Sequence, residues 1–198
     1  MSIPRWCHAR TRRRVAAAAL MMCLPMLASA WELDGRKSLT LHTRDQQHIE
    51  VGSVTFEPRG EGVIGFRLAM ATERFTDHFL SMKEFKCLSG DNEIDCHVPY
   101  PYPQPGTVRV DGATADFAWL EHSLLFLFKL PREFGAKLWN GLYFELERTD
   151  RGLRGRPQAV DLNAISAPPD RPGVPPYTKA QRSDIAAGAR WIESITIE

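Results

Sequence analysis

The chain lacks the short motifs that identify most enzyme classes. It has no G-x-S-x-G nucleophile elbow, no H-E-x-x-H zinc helix, no phosphate-binding glycine loop and no dinucleotide fingerprint. Its 198 residues include only four cysteines, and no two of them form a C-x-x-C pair. The sequence therefore gives no positive support for a standard hydrolase, metalloprotease, nucleotide-binding enzyme or redox site.

Long apolar runs and blocks of like charge are also missing. The apolar stretch Val15–Leu27 is interrupted by Pro25, and it is shorter than the roughly 20 residues that a membrane-spanning helix needs. After residue 30, no run of five or more like charges occurs, which disfavours a nucleic-acid-binding surface. We therefore expect neither a stable membrane anchor nor a nucleic-acid partner.

Residues 1–30 have the three parts of a cleavable export signal. Five arginines without an acidic residue precede Val15–Leu27, and the small residues Ala28-Ser29-Ala30 follow it. We predict cleavage after Ala30 and a periplasmic or secreted protein. Arg12-Arg13-Arg14 also resembles part of a twin-arginine signal, so the general secretory and twin-arginine routes both remain open.

The chain that would remain after cleavage is mildly acidic. Residues 31–198 carry 20 basic and 24 acidic side chains, a net charge of about −4, which mainly promotes solubility. Their length is sufficient to bury one sizeable core. The sequence predicts that residues 31–198 form a single β-rich domain.

Two cysteines remain in this part of the chain. Cys87 and Cys96 flank the turn-forming residues Gly90-Asp91-Asn92. In an oxidising compartment, this arrangement predicts a disulfide that closes a hairpin or a tight loop. A metal pair or a redox couple is the alternative, but both usually use C-x-x-C spacing. The sequence predicts no metal site and no cofactor.

Alternating apolar and polar residues indicate strands with one buried face. The alternation is clearest at Ile64–Met70 and Leu142–Leu146, and it recurs at Leu39–Leu41 and Ile195–Ile197. Leu124–Phe128 is apolar at every position, as expected for a strand that is covered on both faces.

Turn residues connect these segments into antiparallel hairpins. Arg59–Gly62 and Thr149–Gly152 each separate two strand candidates. At Gly52-Ser53 the apolar alternation changes phase, which predicts a β-bulge. The fold class is therefore mostly β: an antiparallel β-barrel or sandwich with one to three short helices and long Pro-rich loops.

Helix signals are few and short. The spacing of apolar residues predicts helical turns at Pro131–Leu138, at Glu73–Leu80 and, more weakly, at Ser183–Ala187. Ala167–Tyr177 and Tyr100–Pro105 are rich in proline, which cannot donate a ladder hydrogen bond. We expect these two segments to be long surface loops, and such loops often carry function.

Three residues are weak candidates for acid–base catalysis. Asp77 and His78 supply a carboxylate and an imidazole, and His97 lies beside Cys96. Adjacent residues point away from each other on a strand or a helix, so Asp77 and His78 are not a preformed pair. His42 and His48 lie on neighbouring strand candidates, where exposed histidines are ordinary.

Two tyrosines are weak candidates for ligand binding. Tyr100 and Tyr102 alternate with prolines directly after the proposed disulfide. Tyrosine provides rigid, amphipathic contact area at a low cost in entropy. The rings either form a ligand or partner surface or pack back on the β scaffold.

Four short blocks resemble an uncharacterised family of secreted proteobacterial proteins with no assigned activity. These blocks are Phe75–Leu80, Cys96–Tyr100, Leu138–Gly141 and Ala159–Asn163. The resemblance covers nearly all of residues 31–198. It implies an envelope location and one integral domain, and it offers no catalytic residue to transfer.

These observations lead to three functional hypotheses. The first is a periplasmic, non-catalytic binding or accessory protein whose partner is an unknown small molecule or envelope protein. The second is a periplasmic hydrolase that uses Asp77, His78 and His97. The third is a structural protein of envelope assembly. The missing motifs favour a protein that is not an enzyme.

Overall fold

Antiparallel strands make up about half of the residues that this computed structural model describes, which are residues 31–80 and 83–198. Three short 3₁₀ helices lie at Thr72–Arg74, Leu162–Ile165 and Lys179–Gln181. The other elements, in chain order, are β1 Gly35–Thr43, β2 His48–Pro58, β3 Val63–Met70, β4 Thr76–Leu80, β5 Lys83–Ser89, β6 Ile94–His97, β7 Thr107–Asp111, β8 Thr114–Asp116, α1 Ala118–Ser123, β9 Phe126–Lys129, β10 Gly141–Thr149, β11 Gly152–Val160, β12 Ser183–Asp184 and β13 Ile192–Ile197.

All thirteen described strands belong to one sheet. Its order is β4-β5-β6-β9-β10-β11-β13-β1-β2-β3-β7-β8, with β12 beside β11. The last strand, β13, lies between β11 and β1, and Ser38 and Glu198 exchange backbone hydrogen bonds of 2.8 and 3.1 Å. The two ends of the described chain therefore meet near the middle of the sheet.

The sheet curls around one hydrophobic cluster, which we call the inner core. Strands from both halves of the sheet contribute to it, so the architecture is sandwich-like. Among the described residues, the end strands β4 and β8 do not pair with each other. The prediction of a mostly antiparallel β fold is confirmed. Inner-core residues include Leu39, Leu41, Val54, Phe56, Phe126, Leu142, Phe144, Trp191, Ile195 and Ile197.

A second hydrophobic cluster, the outer core, lies on the opposite face of β5, β6, β9 and β10. Its members include Leu80, Phe85, Cys87, Cys96, Leu127, Tyr143, Leu162, Ile165 and Tyr177. The apolar segment before and within β9 explains how one sheet serves two cores. Leu124 and Phe126 enter the inner core, whereas Leu125 and Leu127 enter the outer core. This confirms burial on both faces, although the strand begins only at Phe126.

The predicted β-bulge is present one residue earlier than expected. The register between β1 and β2 shifts between Leu39 and Thr40, which face Gly52 and Glu50, so Val51 is the extra residue. Gly52 has a φ of 157°, and a Cβ there would lie 2.3 Å from the Ala69 carbonyl oxygen. The close approach of β3 requires glycine at this position.

The predicted positions of the helical turns are wrong. Pro131–Leu138 forms turns without a helix, because Gly135 has a φ of 71°, outside the helical region. Within Glu73–Leu80, the 3₁₀ turn ends at Arg74 and the rest becomes β4. Ser183–Ala187 contributes only the two-residue strand β12.

Among the described residues, the α-helix lies in a segment without a helix signal in its sequence. Helix α1 spans only six residues, and its N-cap residue Phe117 makes no side-chain capping bond. A helix of this length is too short to show an apolar repeat. It is held by burial instead, because all of its residues from Trp119 onward are buried.

Candidate functional site

The disulfide joins directly opposed residues of two neighbouring strands. Cys87 on β5 faces Cys96 on β6, and their Cα atoms are 3.9 Å apart. Both cysteines are fully buried in the outer core. Between them, the Gly90 N–H donates to the Glu93 carbonyl oxygen at 2.8 Å. The predicted bridge across a hairpin is confirmed.

Asp77 and His78 point to opposite faces of the edge strand β4. Asp77 is exposed and forms ion pairs with Lys86 on β5, which is an ordinary arrangement for a solvated strand face. His78 is half-buried, and its Nε2 atom has no hydrogen-bond partner among the described residues. The strand geometry therefore does not bring these two side chains together.

His97 has a structural role in its surroundings. Its Nε2 atom lies 3.0 Å from the Ser123 carbonyl oxygen, so Nε2 carries the proton that it donates. Burial lowers the pKa of His97, although the Ser123 bond opposes this shift. The ring packs on Phe126 with centroids 5.4 Å apart. These contacts fit a half-buried, neutral histidine that fixes β6 to the end of α1.

The three catalytic candidates do not form a preformed constellation. His97 lies on β6 and Asp77 on β4, with β5 between them. Their backbones are therefore separated by two strand spacings, which together make about 9–10 Å. Lys86 occupies the intervening strand and pairs with Asp77. The placement supplies no histidine within hydrogen-bond reach of the Asp77 carboxylate.

The two tyrosine candidates have different surroundings. Tyr100 is half-buried and packs against Trp119 and Tyr102, with ring centroids 5.7 and 5.5 Å apart. Tyr102 instead lines an open groove on the outer face of the sheet. The prediction that both rings form one binding surface remains a prediction, and the structure places Tyr102 at the better position for it.

This groove is the largest of the described cavities, with a volume of about 720 Å³. It forms where the outer core is incompletely covered, between β4–β5, the loop after β6, the segment before β10 and the second 3₁₀ helix. Most of its walls are apolar. The lining residues are Leu80, Lys83, Glu84, Phe85, Lys86, His97, Val98, Pro99, Pro101, Tyr102, Ala136, Leu138, Leu162, Ile165 and Ser166.

The charges at the groove are unevenly compensated. Lys86 forms ion pairs with Asp77 and, at 3.8 Å, with Glu84. Lys83 has no ion-pair partner among the described residues, and its Nζ atom lies 5.6 Å from the centroid of the Phe85 ring. One cation is therefore left at the edge of an apolar surface.

A second, polar pocket of about 440 Å³ lies beside α1. Glu121 forms its floor and is almost fully buried, which raises the pKa of its carboxyl group. Its two oxygens accept hydrogen bonds from the Tyr143 hydroxyl and, at 2.7 Å, from the Leu146 N–H. Because both oxygens are occupied, Glu121 anchors α1 to β10 and is not poised for acid–base work.

Arg182 lines the same pocket, and the fully buried His122 contacts Tyr177, another of its lining residues. His122 donates from Nδ1 to the Ala118 carbonyl oxygen at 2.5 Å and accepts from the Tyr177 N–H at 3.1 Å. Burial lowers the pKa of His122 to about 4. The Arg182 guanidinium lies 4.6 Å from the centroid of the Tyr143 ring. These contacts fix the loop that carries Tyr177 over the outer core.

Sequence reasoning missed both the groove and the polar pocket. The groove is assembled from four segments that are far apart in the chain, and none of them contains a catalytic or ligand-binding motif. Of the residues that line the groove, the sequence indicates only His97 and Tyr102 as candidates for a functional role. Among the described residues, no group of three or more His, Cys, Asp or Glu side chains is arranged to hold a metal ion.

Comparisons with known proteins identify no relative. The chain matches no protein-family model, no curated protein and no solved structure, so the resemblance to a secreted proteobacterial family remains a prediction. Within residues 31–80 and 83–198, no helix is long and apolar enough to cross a membrane. The predicted export signal, residues 1–30, lies outside the described residues.

Proposed function

We propose that this is an exported, non-catalytic binding protein and that the apolar groove is its ligand site. The observation that carries the proposal is the incomplete cover of the outer core. A groove of about 720 Å³ falls within the range of small-molecule sites, which are mostly apolar with a few polar groups. Export is supported by the signal pattern of residues 1–30 and by a disulfide, which persists in oxidising compartments.

The lining favours an elongated apolar ligand with one anionic end, such as a fatty acid. Leu80, Phe85, Leu138 and Leu162 provide apolar surface for a hydrocarbon chain. The Lys83 ammonium at the edge can pair with a carboxylate that remains in contact with water. An amphiphile would thus cover apolar area that is otherwise exposed to water. Burial of this area contributes a binding free energy of roughly 25 cal/mol per Å², from which the costs of association are subtracted.

The structure also gives the groove a stable frame. The disulfide fixes β5 to β6, and the loop 98–102 follows directly after β6. Restricting motion before binding lowers the entropy lost on binding. Phe85 therefore lies on the hairpin that the disulfide closes, and Tyr102 lies on the loop that directly follows this hairpin.

The first prediction concerns the volume of the groove. Ala136 is half-buried and lines the groove, so Ala136→Trp fills it without removing a core side chain. We expect this variant to weaken saturable binding of a fluorescent fatty acid by at least about tenfold, or 1.4 kcal/mol. The measurement is a fluorescence titration of the purified protein after delipidation.

Ala186→Trp is the matched control, because Ala186 is exposed in the segment before β13. It should bind the fatty acid as the parent protein does. Lys83→Gln should weaken fatty-acid binding about two- to fivefold, as expected for an exposed charge pair, and should leave binding of the fatty alcohol unchanged. Equal binding by the two tryptophan variants would locate the ligand elsewhere.

A further inference from the structure

Two histidines face each other on the outward surface of the sheet, far from the groove. His42 on β1 is directly opposite His48 on β2. Their ring centroids are 4.7 Å apart, and the ring planes are inclined at 68°. The neighbouring residues Leu41 and Thr43 are buried, so His42 lies on the face away from the inner core.

One ring of the pair is held by a third strand. His42 Nε2 lies 2.9 Å from the Thr196 hydroxyl oxygen on β13. When Nε2 carries the proton, this bond leaves the lone pair of Nδ1 free. Histidines that bind metals commonly donate their other ring N–H in this way, which fixes the tautomer and the ring orientation.

The spacing of the rings fits coordination of one ion. Bonds of about 2.0–2.1 Å from a metal to imidazole nitrogens place two rings in adjacent coordination positions with centroids roughly 4.5–5 Å apart. The observed 4.7 Å lies in this range. Strand pairing therefore sets the two rings near the required separation before any ion arrives.

The charges around the pair are compatible with a cation. The cationic Arg154 and the anionic Glu198 both lie close enough to His42 to act on its ring. The anion offsets the cation, so the surroundings do not oppose a bound metal ion.

We infer that His42 and His48 form a binding site for a divalent transition metal ion, with two imidazole nitrogens as protein ligands and water at the other positions. Imidazole nitrogens suit Cu²⁺, Ni²⁺ and Zn²⁺, whereas Mg²⁺ and Ca²⁺ prefer oxygen ligands. The site is independent of the proposed groove, because it lies on strands that do not line it.

The test adds Ni²⁺, Cu²⁺ and Zn²⁺ separately to tag-free protein, and Mg²⁺ is the control ion. We expect Ni²⁺, Cu²⁺ and Zn²⁺ to raise the midpoint of thermal unfolding, since a ligand that binds only the native state stabilises it. His42→Asn and His48→Asn should each abolish this rise. Thr196→Val should reduce metal affinity less than either histidine substitution.

His78→Asn is the matched control, because His78 lies on β4 without a second histidine opposite it, and it should retain the metal-induced rise. Cu²⁺ electron paramagnetic resonance provides a second measurement: a spectrum with two nitrogen ligands is expected in the parent protein and should be absent from each single variant. A rise that persists in His48→Asn, an exposed substitution that should not affect folding, would overturn the inference. So would the absence of any rise with all three metals.

Discussion

Asp95 is a carboxyl group buried without a hydrogen-bond partner. It lies on β6 with no exposed surface, and neither of its oxygens has a partner among the described residues. Burial raises the pKa of Asp95 well above its usual range, and the Glu93 carboxyl adds to the shift, whereas Arg190 opposes it. Because an unpaired buried charge is costly, the folded protein favours the protonated acid.

A pH-dependent loss of stability follows from this site. A group whose pKa is raised on folding contributes stability that is fully present below its unfolded pKa, about 3.9 for Asp, and lost as the pH rises through the folded value. Asp95→Asn removes the ionisation. We expect Asp95→Asn to raise the free energy of unfolding by about 1–3 kcal/mol at neutral pH and by less at pH 4. Urea denaturation at the two pH values measures this difference.

The exposed Asp91→Asn, four residues earlier, is the control and should change stability little at either pH. If Asp95→Asn instead destabilises the protein equally at both pH values, Asp95 is a paired carboxylate that accepts hydrogen bonds. The same outcome would point to a buried interaction with Arg190 that the amide cannot replace.

At the scale of elements, the hairpin β5–β6 links the groove to the rest of the sheet. The disulfide closes a short loop, which stabilises the fold by about 2.7 kcal/mol on the chain-entropy model. β4 is an end strand and pairs only with β5 among the described strands. The bridge therefore fixes the strand through which β4 is attached.

Removal of the bridge should have a local effect. We expect the double variant Cys87→Ala/Cys96→Ala to lose about 2–4 kcal/mol of stability and to exchange the backbone amides of β4 and β5 faster. Amides of β1 and β2 should keep their protection at low denaturant, because local opening follows local contacts. Hydrogen exchange read by mass spectrometry measures both. A uniform loss of protection across the sheet would contradict this local role.

The elements that could be predicted from the sequence are those with a long, regular alternation. Ile64–Met70 and Leu142–Leu146 form strands β3 and β10, as their alternation predicts. In β3 the alternate positions Arg67 and Ala69 are exposed, whereas in β10 Tyr143 is buried in the outer core. β4 was misread as helical because Phe75 and Phe79 are four apart, yet Phe79 is 73% exposed and Leu80 turns into the outer core. Pairing with β5 decided this segment, and a single sequence does not show such pairing.

The candidate site was predictable only where local chemistry defines it. Two cysteines around a turn were sufficient to predict the disulfide, and the loop after it does reach the groove through Tyr102. The floor of the groove was not predictable, because Phe85, Leu138 and Leu162 meet only after the sheet has formed. Glu121 was missed for the same reason, as its partners lie on β10.

At the scale of the whole molecule, the first and last described strands lie side by side in the sheet. β13 lies between β1 and β11 and pairs with both, and Ile195 and Ile197 enter the inner core. The pairing of β1 with β13 joins segments that are about 150 residues apart, so this part of the sheet forms only after both strands have been synthesised. Such non-local pairing is associated with slow folding.

This topology leads to the last prediction, which tests whether residues 31–198 unfold as one domain. Ile195 is 1% exposed, so Ile195→Ala should cost about 2–5 kcal/mol as a core truncation. If the two sides of the sheet are one cooperative unit, this loss should lower the urea midpoint equally for every probe. Suitable probes are tryptophan fluorescence, far-ultraviolet circular dichroism and hydrogen exchange in β5 and β6. Glu193→Ala, on the exposed face of β13, should leave all midpoints unchanged. Persistent protection of β5 and β6 after the other signals have unfolded would instead show two separately stable parts.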